Sequence, residues 1–333
     1  MEINKWYAAI DTHSGGEPLR ILTGGLPQMA GASQQAKSLF FKQHHDSVRK
    51  LLMAEPRGHY GMTGAIVTAP VSEEALFGLL FLNQEGLAAI SGHGIFAVVT
   101  AWVATGQLDA AIAAGGISID CPAGTVNAFA SCEGQEVRSV SFHNVPSFVY
   151  AESLALSIQD IEILVDVAFS GEFYAVVDAA GLGDRRSIPE LQAYGGLIRK
   201  AIEAQLEVKH PLLEGITGIH GVFFYEKDES DSVNPVYRSW SIFAGEQLDR
   251  SPGGAGACAH MTVLNHKGSL HQGQQVIYEG IAGTRANGSV EEEICAFGYK
   301  AVIPKLTGSA YVLGFMNFVL DPSDPLADGF VLY

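Results

Sequence analysis

Residues 92–107 read GHGIFAVVTAWVATGQ, and residues 253–268 read GGAGACAHMTVLNHKG. Each stretch opens with small residues and continues as an apolar helical pattern that ends near a glycine. The two stretches start at residues 92 and 253, so that roughly half of the chain separates them. This spacing predicts two similar halves, each of which contributes one helix N-terminus.

Short β-rich runs between glycine clusters surround these two helices, over residues 5–10, 65–68, 138–142, 162–169, 173–178, 221–225 and 238–243. A third helix is predicted over residues 188–205. Because strands and helices do not strictly alternate, the pattern favours an α+β or mixed-barrel fold. The CPAG stretch at 121–124 predicts a boundary between a first half, 1–122, and a second half, 123–308. A last strand near 309–320 is predicted to return to the first half, which then includes about 309–333.

The composition excludes several classes of protein. The chain has 333 residues, of which 47% are hydrophobic and 17% are charged, with a net charge of −16. This is enough apolar material for folded cores, and the negative charge argues against binding to nucleic acid or to an anionic membrane. We find no secretory signal, no run of 18 apolar residues and no cysteine spacing typical of zinc, and we therefore expect a cytoplasmic protein without a metal.

The glycine-rich starts of the two helices indicate an anion site. The first backbone N–H groups of a helix lack hydrogen-bond partners within the helix and form the positive end of the helix dipole. Glycine at these positions lets an anion approach the backbone closely. Two such starts could hold one small carboxylate. Neither start fits the phosphate-binding pattern GxxxxGK[ST] or the dinucleotide pattern GxGxxG, and we therefore do not expect a nucleotide.

Several blocks of sequence resemble the proline racemase superfamily, which includes hydroxyproline epimerases and trans-3-hydroxy-L-proline dehydratases. The blocks span nearly the whole chain and comprise Asp11-Thr12-His13-Ser14-Gly15-Gly16-Glu17-Pro18, Glu55-Pro56-Arg57-Gly58-His59 with Met62 and Gly64, Ser91-Gly92-His93-Gly94, Asn144-Val145-Pro146-Ser147-Phe148, Phe173-Tyr174-Ala175, Asp249-Arg250-Ser251-Pro252 and Gly283-Thr284-Arg285. The resemblance implies a diaminopimelate-epimerase-like α+β fold. In that fold two pseudo-symmetric, barrel-like halves each surround a central helix, and the active site lies in the cleft between them.

The sequence departs from the family pattern at both catalytic positions. A racemase of this family uses two cysteines, one on each face of the α-carbon, and no cofactor; the substrate carboxylate lies on the two helix N-termini. Here the first position is Ser91 and the second is Gly253, which has no side chain to carry a proton. Cys258 lies more than one helical turn further on and is not expected to replace the missing cysteine.

A reaction that moves a proton on only one face of the α-carbon remains possible. Dehydration of trans-3-hydroxy-L-proline removes one α-proton and the 3-hydroxyl, and it yields Δ1-pyrroline-2-carboxylate without returning a proton to the opposite face. Family members that lack one cysteine are associated with this lyase activity, and we expect it here. With glycine at 253, we also expect a larger pocket beside the β-carbon.

The alternatives are a weak 4-hydroxyproline or proline epimerase or racemase, and a pseudoenzyme that binds its ligand without turnover. A Ser-His-Asp hydrolase is disfavoured because Ser91 lacks the GxSxG pattern.

The expected catalytic residues are Ser91, His93 and Asp249. Serine is a weak acid and needs a helper, for which His93 and Asp249 are the candidates; either could be the base itself, and Ser91 could instead serve only as a helix cap. The resemblance places Asp249 against the ring nitrogen of an imino-acid substrate. The expected substrate-binding residues are Gly92, His93, Gly94, His220, Asp249, Gly253, Gly254 and Ala255. The family resemblance also allows a homodimer.

Overall fold

The computed structural model describes residues 5–184, 186–229, 234–243 and 245–332. The chain divides into two compact units. Unit 1 contains the chain up to Val140 together with the segment from Ser309 onward, and unit 2 runs from Ser141 to Gly308. The sequence had placed the first changeover near residue 122. The structure places a turn there instead, because Cys121 pairs with Gly124 in a hairpin that keeps the following strand in unit 1.

The helices and strands follow one another along the chain with these bounds. The first part contains β1 (Lys5–Ser14), β2 (Glu17–Gly24), α1 (Gln34–His44), α2 (Asp46–Met53), β3 (Thr63–Thr68), β4 (Ala75–Leu82), β5 (Leu87–Ala88), α3 (Gly92–Ala104), α4 (Ala110–Gly115), β6 (Ile117–Cys121), β7 (Gly124–Glu133) and β8 (Glu136–His143). The second part contains β9 (Ser147–Ile158), β10 (Ile161–Phe169), β11 (Phe173–Asp178), α5 (Ile188–Gln205), β12 (Gly221–Asp228), β13 (Val236–Phe243), β14 (Gln247–Asp249), α6 (Ala255–His266), β15 (Gln275–Glu279), β16 (Arg285–Ala296), β17 (Tyr299–Gly308) and β18 (Tyr311–Leu320).

Unit 1 is built around α3. β1 pairs in antiparallel fashion with β2 and β18, β2 continues in parallel to β3, and β3 continues to β4, β6 and β7. Helix α3 packs against β1, β2, β3, β7 and β18, and every residue from Gly92 to Val103 is buried. An apolar surface on all sides explains this position, since such a helix is stable only when strands surround it. Another core, which includes Tyr7, Phe41 and Leu52, involves α1 and α2.

Unit 2 has the same design around α6. Strands β9 to β14 form consecutive pairs, and β15, β16 and β17 continue the sheet until β17 pairs back with β9. Helix α6 packs against β9, β10, β11, β12, β16 and β17, and its residues from Ala255 to Leu264 are buried. Helix α5 begins with a capping box between Ser187 and Glu190 and packs on β9, β12 and β13. Each unit therefore surrounds one buried helix.

The structure confirms the main sequence predictions for the fold. The α+β class and the central helices α3 and α6 are present, α5 spans the predicted range, and each predicted β-rich run lies in a strand. Helices α1, α2 and α4 were not predicted. Within the described ranges, none of the helices combines the length and apolar composition that a membrane crossing requires.

Candidate active site

Ser91 caps helix α3 and is half-buried at its start. Its backbone is extended, and its Oγ accepts a hydrogen bond from the Gly94 amide at 3.2 Å. A side chain at Gly94 is excluded, because an added Cβ would lie 2.7 Å from the Phe81 ring and 2.9 Å from Ser91 Oγ. The cap uses a lone pair of the hydroxyl and leaves its proton available to donate. Capping and a chemical role of Ser91 are thus compatible.

His93 faces the Ser91 hydroxyl from the first turn of α3. Ser91 Oγ lies 3.4 Å from both ring nitrogens of His93, a long distance for a hydrogen bond, and His93 is buried. On the far side, His93 Nε2 lies 3.2 Å from the hydroxyl of Thr63 on β3. Both ring nitrogens are therefore close to hydroxyl groups, and the proton positions decide which nitrogen can act as a base.

Thr63 determines which nitrogen carries the proton. The Thr63 hydroxyl donates its single proton to the carbonyl oxygen of Pro18, so it can only accept from His93 Nε2. From this contact we infer that neutral His93 carries its proton on Nε2, in which case the lone pair of Nδ1 can take a proton from Ser91. Thr63 was not predicted, because no local sequence pattern connects it with His93.

In unit 2, three hydrogen bonds fix the loop between β14 and α6. Asp249 is buried at the end of β14, and its Oδ1 accepts from the Ser251 amide at 2.8 Å. Ser251 Oγ in turn accepts from the Gly253 amide at 3.2 Å, and Ser239 Oγ donates to the Pro252 carbonyl at 2.8 Å. The loop is therefore held by Asp249 and Ser251 and by Ser239 of β13, and Asp249 Oδ2 is the oxygen that can receive a further donor.

The structure corrects the expected pocket at Gly253. Its φ is +88°, a left-handed conformation that side chains rarely adopt. An added Cβ would lie 2.8 Å from the Phe223 ring and 3.3 Å from Ser241 Oγ, and an added Cβ on Gly256 would also meet this ring, at 2.6 Å. The place where a side chain would begin is therefore filled by Phe223 and Ser241, and glycine at 253 does not open additional space there.

His220 precedes β12 and lies in an aromatic and acidic setting. Its ring stacks on Phe243 with the centroids 5.9 Å apart and meets Tyr174 edge-on at 5.6 Å. The Nδ1 atom of His220 lies 3.9 Å from Glu172 Oε1, and both side chains are largely buried. Burial, together with the nearby charges of Glu172 and Asp249, raises the pKa of Tyr174 well above its usual value, so Tyr174 stays a neutral phenol. Glu172 and Tyr174 were not among the predicted site residues.

Cys258 cannot replace a catalytic thiol. It lies inside α6 and is fully buried, and this burial raises the pKa of its thiol far above the usual range. The thiol therefore stays protonated at physiological pH, in agreement with the expectation from its distance along the helix.

The predicted site residues fall into two sets. Ser91, Gly92, His93 and Gly94 start α3 in unit 1, whereas Gly253, Gly254 and Ala255 start α6 in unit 2. Asp249 and His220 also belong to unit 2, where the electrostatic environment of Tyr174 includes Asp249. Each set combines a helix N-terminus with side chains that can move or hold a proton.

Known proteins resemble this chain over its full length. The family model described as Proline racemase matches residues 9–331. A trans-3-hydroxy-L-proline dehydratase of Bacillus thuringiensis is 44% identical over 335 residues, and a proline racemase of Acetoanaerobium sticklandii is 38% identical over 337 residues; both alignments cover 100% of each chain. The crystal structure of a hydroxyproline epimerase from Agrobacterium vitis, with bound trans-4-hydroxy-L-proline, matches with a TM-score of 0.93 at 27% identity. That match covers 100% of this chain and 96% of the epimerase.

Proposed function

Because the chain belongs to the proline racemase family, we propose that it dehydrates trans-3-hydroxy-L-proline to Δ1-pyrroline-2-carboxylate without a cofactor. The observation that carries this proposal is Gly253. Racemisation needs a second acid on the opposite face of the α-carbon, and Gly253 has no side chain, while Phe223 and Ser241 occupy the space where one would begin. Full-length similarity to a trans-3-hydroxy-L-proline dehydratase supports the same reaction.

Ser91 and His93 take the α-proton in this proposal. The C–H bond at the α-carbon breaks, Ser91 Oγ receives the proton, and its own proton moves to His93 Nδ1. The Nε2–H of His93 remains bound to Thr63, which stabilises the imidazolium that forms. The helix amides beside Ser91 stabilise the charge that develops on the substrate carboxylate.

The electron pair released at the α-carbon forms a double bond to the β-carbon and breaks the C–O bond of the 3-hydroxyl. The departing hydroxyl needs one proton to leave as water. His220 is the proposed donor, and its Nδ1 lies 3.9 Å from Glu172 Oε1. Asp249 Oδ2 binds the ring nitrogen. The enamine product, Δ2-pyrroline-2-carboxylate, then tautomerises to the imine.

The test is a proton NMR time course in D2O with trans-3-hydroxy-L-proline in one sample and trans-4-hydroxy-L-proline in the other. We expect the 3-hydroxy compound to be converted to the cyclic imine and the 4-hydroxy compound to keep its α-proton. If the 4-hydroxy compound instead gains α-deuterium or epimerises while the 3-hydroxy compound keeps its hydroxyl, the protein is an isomerase. No reaction in either sample, together with ligand binding, would indicate a pseudoenzyme.

The proposal includes a cytoplasmic location. All four cysteines, Cys121, Cys132, Cys258 and Cys295, are unpaired, as is usual where thiols stay reduced. Fractionation of cells that express the full chain tests this, and recovery of the protein outside the cytoplasmic fraction would contradict it.

A further inference from the structure

A cavity of about 560 Å³ lies in unit 2 beside the second half of helix α6. Thr262, Asn265 and His266 of α6 form one side, and the hairpin of β16 and β17 forms the other. We call it the α6 cavity. Its volume falls within the ~300–1,000 Å³ typical of sites for small molecules. Thr262 lies roughly 10 Å along the helix from Ala255, so the cavity is away from the predicted substrate-binding start of α6.

Apolar side chains line a part of the α6 cavity. Ala301 and Val302 of β17 are buried, and Val149 of β9 and Ile294 of β16 are partly buried. Ile294 lies opposite Ala301 in the β16–β17 ladder, and β9 pairs with β17 on its other side. Because the burial of apolar surface stabilises a bound state, this lining favours a ligand with an apolar body.

The ammonium group of Lys300 is a charged group that the α6 cavity leaves unpaired. Lys300 lines the cavity from β17, directly opposite Cys295 on β16, and within the described ranges its ammonium has neither a hydrogen bond nor an ion pair. Lys305, on the same strand, instead pairs with Glu291 at 3.5 Å. The ring of His271, which also lines the cavity, has no partner in the part of the chain that the structure describes. An unpaired cation beside an imidazole attracts an anion.

The acidic groups near the α6 cavity are engaged by other side chains. Glu293 Oε1 accepts a hydrogen bond from Asn265 Nδ2 at 2.8 Å, and Glu152 Oε2 lies 3.3 Å from His266 Nε2. In a chain with a net charge of −16, an unpaired lysine beside carboxylates that already have partners provides a local positive potential. The ammonium balances one negative charge, and the negative C-terminal end of the α6 dipole opposes a second one. A singly charged anion therefore fits better than a phosphate.

From these observations we propose that the α6 cavity binds an organic monocarboxylate with an apolar body. The carboxylate receives a charge-assisted hydrogen bond from Lys300 Nζ and an N–H from His271, and the apolar body packs on Val149, Ile294 and Val302. None of the described lining residues belongs to the proposed catalytic or substrate-binding set. Binding to this cavity can therefore be measured without turnover.

Alkylation of Cys295 by iodoacetamide measures occupancy of the cavity in the wild type. Cys295 is an exposed free thiol that lines the cavity, and Cys132, a partly exposed thiol on β7 of unit 1, is the internal control. Phenylbutyrate is the probe, with the uncharged phenylbutyramide and the cationic phenylbutylamine as matched compounds. At about ten times its dissociation constant, phenylbutyrate should slow the alkylation of Cys295 roughly 10-fold and leave that of Cys132 unchanged. The amide and the amine should need concentrations at least roughly 10-fold higher for the same protection.

Two lysine substitutions locate the contact with the carboxylate. Lys300→Gln removes the unpaired charge, whereas Lys305→Gln removes a charge on the same strand that is already paired. The phenylbutyrate concentration that gives half protection of Cys295 should rise roughly 10-fold in Lys300→Gln and stay unchanged in Lys305→Gln.

Several outcomes would overturn the proposal. If phenylbutyrate leaves the alkylation of Cys295 unchanged, or slows that of Cys132 equally, the cavity is not its binding site. If the amide or the amine protects Cys295 as well as phenylbutyrate does, the cavity does not select a carboxylate. Unchanged protection in Lys300→Gln would remove Lys300 as the partner of the carboxylate and overturn the proposal equally.

Discussion

A single proton on Thr63 determines the chemistry expected of His93. Because that proton is donated to the Pro18 carbonyl, Thr63 can only accept from His93 Nε2, and Nδ1, 3.4 Å from Ser91 Oγ, is then the basic nitrogen. Which nitrogen of a histidine is basic is commonly set in this way by the hydrogen bond at the other nitrogen. Thr63 is thus a positioning residue that acts through His93.

Thr63→Val should weaken catalysis without weakening substrate binding. The variant keeps the shape of the side chain but removes the acceptor for His93 Nε2–H, so we expect kcat to fall roughly 10-fold or more, within the 10²–10⁴ that a general base contributes. The imidazolium loses an acceptor, and the acid limb of the kcat profile should therefore move to lower pH. Thr63→Ser should restore both values. Thr12→Val removes a comparable buried hydrogen bond, to Leu19, and is the control. An unchanged pH profile in Thr63→Val would refute the assignment.

Ser91→Ala separates the chemical role of the serine from its role as a cap. Removal of an N-cap costs about 1 kcal/mol of stability, while loss of the proton acceptor should reduce kcat by roughly 100-fold or more. Ser33→Ala is the matched control, because Ser33 Oγ caps α1 by accepting from the Ala36 amide at 3.1 Å. Urea unfolding should show similar losses of stability for both variants, and only Ser91→Ala should lose turnover. Equal turnover in both variants would leave Ser91 as a cap alone.

At the scale of elements, the start of α6 is adapted to the absence of a side chain at position 253. The left-handed φ of Gly253 and the close approach of Phe223 act together, since the ring packs where two glycines of the chain leave room. The conformation of the loop at Gly253 therefore depends on the packing of Phe223 on β12, and that packing depends on the absence of a side chain at position 253.

Gly253→Cys should destabilise the fold and should not create a racemase. We expect a loss of roughly 2 kcal/mol or more in the free energy of unfolding, from backbone strain and from the contact with Phe223. Two controls separate these causes in urea unfolding. Gly268→Ala has a φ of +70° without nearby atoms and measures strain, whereas Gly215→Ala has neither feature and should be close to neutral. A fully stable Gly253→Cys variant would contradict the geometry.

The sequence predicts elements well where a local pattern determines them. Helices α3 and α6 are recognisable from an apolar run that follows small residues, and the same pattern directs attention to Ser91 and Gly253. Helix α1 was missed because QQAKSLFFKQH has a weak helical pattern. Cys121-Pro122-Ala123-Gly124 was interpreted as a domain boundary, although turn-forming residues equally mark a hairpin. Thr63 and Phe223 could not be predicted, since their roles depend on contacts between distant parts of the chain.

For the whole molecule, stability should depend on pH through a buried histidine. His260 lies inside α6 among Tyr225, Tyr237 and Tyr278, and burial lowers its pKa from 6.5 to about 3. The folded protein therefore keeps His260 neutral while the unfolded chain gains a proton below pH 6.5. Unfolding is thus favoured as the pH falls from about 6.5 towards 3.

We expect His260 to account for about 2 kcal/mol of lost stability between pH 8 and pH 5. His260→Phe should reduce the slope of the unfolding free energy against pH in this range, even if its stability at pH 8 is lower. His271→Gln, a change at an exposed histidine, should leave the slope unchanged. Urea titrations at a series of pH values measure these slopes, and equal slopes for the wild type and His260→Phe would disprove the assignment.

The pairing of β1 with β18 has a consequence for biosynthesis. Lys5 lies opposite Leu320, so β1 leaves the ribosome long before β18, the strand that completes its pairing. At ~5–20 residues per second this delay is on the order of tens of seconds. Unit 2 is continuous in sequence and is fully translated earlier, whereas unit 1 begins first and finishes last. The apolar residues of β1 and β2 are thus nascent surfaces that a chaperone can cover during translation.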